Sequence, residues 1–96
     1  GAYFMKHRYL VRLESISAHD TSEPPMQFEV ENHDDIFAVI KKLESREEFS
    51  ADDAKAFGVG LKLFSEVMLK KRDYPLFSNF LPHFAAFMKE LKSKSS

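Results

Sequence analysis

No cysteine and no tryptophan occur anywhere in the chain. Without thiols there is no disulfide framework, no thiolate nucleophile and no Cys-based zinc or iron–sulfur site. That usage fits a cytoplasmic protein. Glycine is sparse, at three residues, and none stands between a strand and a helix start as a phosphate-cradling loop requires. No apolar run approaches the roughly 18 residues that cross a bilayer, so a soluble protein with no membrane partner is expected. An excess of charge is missing too. The formal net charge of −1 removes the simplest argument for a nucleic-acid partner, a globally basic domain. The opening residues, Gly1 to Lys6, lack the basic-then-apolar order of a signal peptide. Residues 1–5 read as an N-terminal extension, with Met5 as an alternative native start.

What the chain does have is phenylalanine, ten in 96 residues, within an apolar share of 44%. Phe adds large apolar area without a polar handle, which suits a short chain that must build one core. The length fits one domain spanning residues 1–96.

Residues 6–17, KHRYLVRLESIS, alternate. Tyr9, Val11 and Leu13 fall on one face, and Arg8, Leu10, Arg12 and Glu14 on the other, the period of a half-buried strand. Residues 18–25 collect turn formers and end in two prolines. Residues 26–31 alternate again, with Met26, Phe28 and Val30 on one face. So short a connection predicts antiparallel pairing.

Helical periodicity follows. Asn32 with Asp35 reads as an acidic capping box opening a helix over about 33–45, with Ile36, Phe37, Ile40 and Leu43 on its stripe. Ser50 with Asp53 repeats the signal for a helix over about 51–72. That helix is apolar on two sides (Ala54, Phe57, Leu61, Phe64 and Met68; then Val59, Leu63 and Val67) and is therefore expected to be central. Gly58 and Gly60 within it each cost about 1 kcal/mol against Ala, which predicts close approach of a neighbouring backbone. Asp73-Tyr74-Pro75 ends the helix. Residues 76–81 read as an irregular or 3₁₀ turn, and Pro82 suits the first turn of a last helix over about 82–93. Residues 93–96 are a polar tail expected to fray. The expected fold is α+β, an N-terminal two-stranded antiparallel β-hairpin packed against three α-helices.

Candidate sites are weighed against simpler explanations. The four histidines are His7, His19, His33 and His83, and no two are spaced i, i+4 on an expected helix. In His33-Asp34-Asp35, adjacent helical residues splay about 100° apart and do not converge on an ion. No metal site, cofactor or catalytic residue is therefore expected, and the protein is not expected to be an enzyme. Glu66, mid-helix between Phe64 and Val67, reads as an exposed acid paired with Lys62 or Lys70. Lys41 and Lys42, Lys70, Lys71 and Arg72, and Lys89, Lys92 and Lys94 all fall near helix C-termini, where the macrodipole favours cations. If such ends converge they form an anion patch, for which Lys70, Lys71 and Arg72 are the candidates. The outer face of the hairpin, Arg8, Leu10, Arg12 and Ile16, mixes apolar and guanidinium groups as interfaces do and is the candidate interface.

The segments KHRY (6–9), FEVENHDDIF (28–37), GLKLFSEVMLKKR (60–72), PLF (75–77) and FMKELK (87–92) together resemble a family of small, uncharacterised bacterial proteins, a domain of unknown function. The resemblance runs from Lys6 to about Lys92. It implies bacterial origin and a compact single domain, and carries no activity, substrate or catalytic residue with it. The functional expectation is a non-enzymatic interaction module that self-associates, with a dimer favoured, or binds a protein partner through the hairpin. The alternative is a small-ligand or anion binder using the Phe-rich helical region or the helix-end lysines.

Overall fold

A computed structural model describes residues 6–17, 19 and 23–93. The expected N-terminal extension and part of the loop over 18–25 lie outside the described residues, as do Lys94 and the remainder of the tail. The described chain is α+β, two antiparallel strands followed by four helices. It divides at Asp34/Asp35 into two compact units.

The first unit is the hairpin. Strand β1 is His7–Leu13 and strand β2 is Met26–Asn32. They pair antiparallel from His7↔Asn32 to Leu13↔Met26. This register sets Tyr9 opposite Val30, Val11 opposite Phe28 and Leu13 opposite Met26 on one face. The other face sets Arg8 opposite Glu31, Leu10 opposite Glu29 and Arg12 opposite Gln27. Asn32 does not cap a helix, because it is still paired in the sheet. Its Oδ1 accepts the Asp34 N–H at 3.0 Å, an Asx turn that closes the strand.

The second unit is helical. Helix α1, Ile36–Glu44, starts later than expected and is capped by Asp35, whose Oδ1 accepts the N–H groups of Phe37 at 3.0 Å and Ala38 at 3.3 Å. Ile36 and Leu43 are buried, whereas Phe37, expected on the same stripe, is 68% exposed. Helix α2, Ala51–Lys70, has the predicted Ser50 cap, with Oγ accepting the Asp53 N–H at 3.1 Å. It stops at Lys70, short of the expected residue 72, and a turn follows. Ala54, Gly58, Leu61 and Met68 form its buried stripe.

Gly58 is where α1 and α2 approach. A Cβ there would meet Ile40 Cγ1 at 2.9 Å and Leu43 Cδ1 at 3.4 Å. The expected close approach therefore holds at Gly58, made by side chains of α1. It does not hold at Gly60, where a Cβ would meet nothing within 4 Å.

The stretch expected as an irregular turn contains a fourth helix, α3, Pro75–Ser78, with Pro75 in its first turn. Helix α4, Leu81–Ser93, takes in Pro82 and carries on through Ser93, where the tail was expected to fray. Six phenylalanines link α2 to the C-terminal helices. Phe57 stacks on Phe49 at 5.2 Å between centroids and meets Phe87 edge-on at 6.1 Å. Phe64 meets Phe80 at 6.1 Å and Phe84 at 6.2 Å, both edge-on. Such edge contacts add roughly 0.5–1.5 kcal/mol each beyond the area they bury.

Candidate functional site

Two surfaces carry side chains that folding within their own unit does not use up. The first is the hairpin. On its charged face Arg8 pairs with Glu29 at 2.5 Å and Lys6 with Glu31 at 3.6 Å. Arg12 donates to Gln27 Oε1 at 2.9 Å and pairs with Glu14 at 3.3 Å. Exposed pairs of this kind contribute at most about 1 kcal/mol, but they give both guanidinium groups a partner inside the hairpin. Of the predicted interface residues, Leu10 and Ile16 remain, both largely exposed. The opposite face is apolar and is open at its loop end, where Leu13 is 65%, Met26 56% and Phe28 42% exposed. That face was expected to be the buried one.

The second surface is a cleft of about 160 Å³ between α1, α2 and α4. Val39 and Leu43 of α1, Leu61 of α2, and Met88 and Leu91 of α4 form its apolar lining. Lys42, Arg46, Lys62 and Lys92 line it as well, and no carboxylate does. Arg46 is built in as a wall. Its Nη1 donates to the Leu91 carbonyl at 3.0 Å, and its Nε and Nη2 donate to Glu48 Oε2 at 3.1 and 2.6 Å.

Two of the basic helix ends therefore converge, those of α1 and α4. The cations expected to form an anion patch are elsewhere. Lys70, Lys71 and Arg72 lie exposed at the far end of α2, with Lys71 Nζ 5.3 Å over the Tyr74 ring. Single helices do not reveal the cleft, because its cations come from three helices and the turn after α1, and only packing brings them together. Lys42 near the end of α1 and Arg46 in the turn after it were its one local trace.

Glu66 is half-buried and partnered. In His33-Asp34-Asp35, the Asp35 carboxylate is spent on capping. Among the described residues no group of three or more His, Asp or Glu is placed to hold a metal, and no helix is long and apolar enough to cross a membrane.

A family model described as a domain of unknown function with a solved structure, DUF3861, matches residues 7–93. The chain belongs to the DUF3861 family. Among solved structures, the chain is similar to a protein of unknown function from Pectobacterium atrosepticum, a bacterium. The two are 37% identical, with a TM-score of 0.84 over 94% of this chain and 100% of the other. No curated protein matches the chain. Apart from Lys6, the segments that carry the family resemblance lie within the matched residues 7–93.

Proposed function

We propose that the protein acts by association rather than by catalysis, and that two copies meet through the apolar faces of their hairpins. The observation that carries this reading is the cluster of Leu13, Met26 and Phe28, large apolar side chains left open on one face of a two-stranded sheet. A sheet of two strands is marginal until such a face is covered.

The charges favour face-to-face contact over edge-to-edge contact. Strand β1 carries Arg8 and Arg12, and β2 carries Glu29 and Glu31. Joining two β1 edges, or two β2 edges, sets like charges side by side. Joining β1 to β2 matches the charges but repeats head to tail without closing. Stacking the apolar faces closes as an isologous pair and leaves the ion pairs on the outer, solvent-facing side of each sheet.

Sedimentation velocity over a concentration series tests this. A monomer–dimer equilibrium is expected, which Leu13→Asp and Met26→Asp shift to monomer and Arg8→Gln leaves in place. A wild-type protein that stays monomeric at the highest attainable concentration overturns the proposal. So does a dimer that survives Leu13→Asp but is lost when Arg8, Leu10 and Arg12 are replaced, which would place the interface on the charged face.

A further inference from the structure

We propose that the cleft between α1, α2 and α4 is a binding site for a small organic anion, a carboxylate attached to an apolar body about the size of a benzene ring. The site lies in the helical unit and is independent of the hairpin reading. Size sets the body. The cleft measures about 160 Å³, and a dry apolar cavity of about 150 Å³ accommodates benzene. A nucleotide or a long acyl chain is too large to be held within it. Polarity sets the rest. Leu43, Leu61 and Met88 give a surface with nothing to offer a polar ligand body, whereas Lys42, Lys62 and Lys92 put one cation on each of the three surrounding helices.

Helix-end cations are usually explained by the macrodipole alone. That explanation covers Lys42 and Lys92, which stand near the C-terminal ends of α1 and α4. It does not cover Lys62, which lies in the middle of α2. Nor does it explain why the cleft lining contains four cations and no acid. Arg46 already holds Glu48 and the Leu91 carbonyl, so it fixes the spacing of the wall and the lysines supply the contacts. A lysine ammonium has three donors, so it accepts a ligand carboxylate alongside a partner it already has. Inorganic anions fit poorly, because they leave the apolar lining empty and gain nothing from it. A neutral aromatic fills the lining and makes no ion pair with the lysines.

Three probes separate these contributions: phenylacetate, 2-phenylethanol and acetate, each titrated into ¹³C-methyl-labelled protein. Phenylacetate should give saturable shifts at the methyl groups of Leu43, Leu61 and Met88. 2-Phenylethanol should bind about tenfold more weakly, the worth of one charge-assisted hydrogen bond, and acetate should not saturate. The double replacement Lys42→Gln with Lys92→Gln should weaken phenylacetate several-fold without changing circular dichroism or the 2-phenylethanol titration. Equal affinity for phenylacetate and 2-phenylethanol overturns the proposal. Shifts that map elsewhere, such as to the phenylalanine cluster, or no saturable shift at all, overturn it too.

Discussion

A methyl group added to Gly58 would stand 2.9 Å from Ile40 Cγ1, inside ordinary contact. Ile40 is β-branched and stiff at χ1, so it cannot swing clear without moving α1. Gly58→Ala should therefore destabilise the protein by about 1–3 kcal/mol through overpacking, despite the helix propensity it gains. Gly60→Ala adds the same methyl where nothing lies within 4 Å, and should stabilise by about 0.5–1 kcal/mol. Urea unfolding of the two variants beside the wild type checks both signs in one series. Met68 is fully buried on the same stripe of α2. Its replacement by Ala should cost about 2–5 kcal/mol and leave the urea slope unchanged, since the surface exposed on unfolding hardly changes.

At the scale of the elements, the helix starts are where local chemistry decides the fold. The Asp35 carboxylate holds two of the first N–H groups of α1, and Ser50 holds one of α2. Asp35→Ala and Ser50→Ala should each lower stability by about 1 kcal/mol, as read by the urea midpoint. The Ser50 start was legible because no strand claims Ser50 and Asp53 stands three residues on, ahead of a clean apolar period. The α1 start was misplaced because Asn32-His33-Asp34-Asp35 offers three capping residues in four, and strand pairing claims the first of them. Periodicity likewise cannot separate Ile36 from its neighbour Phe37, since turning the stripe by one residue exchanges which is buried. Helix α3 left no signal, as four residues are barely one turn and carry no repeat. The hairpin alternation was legible as far as Leu13, but residues 14–17, Ile16 among them, lie beyond the strand they were expected to continue. The partners of Arg8 and Arg12 were not legible, because they depend on the cross-strand register.

Taken as a whole molecule, association and ligand binding should answer oppositely to salt. Stacked apolar faces are insensitive to ionic screening and are strengthened by sulfate. The dimer fraction in sedimentation should therefore hold or rise as salt is added, whereas phenylacetate affinity should fall. If the dimer dissociated with added salt, charge pairing would be holding it instead. The topology has one further consequence. β1 pairs with the next strand, α1 packs on α2, and α3 on α4, so the closest backbone packing joins segments that are neighbours along the chain. Little loop entropy has to be lost before these contacts form. Chains with such local connectivity reach the native state in milliseconds or less, and stopped-flow refolding should show a main phase at that speed. Helices α1 and α2 can then pack as they leave the ribosome, before α3 and α4 have been made.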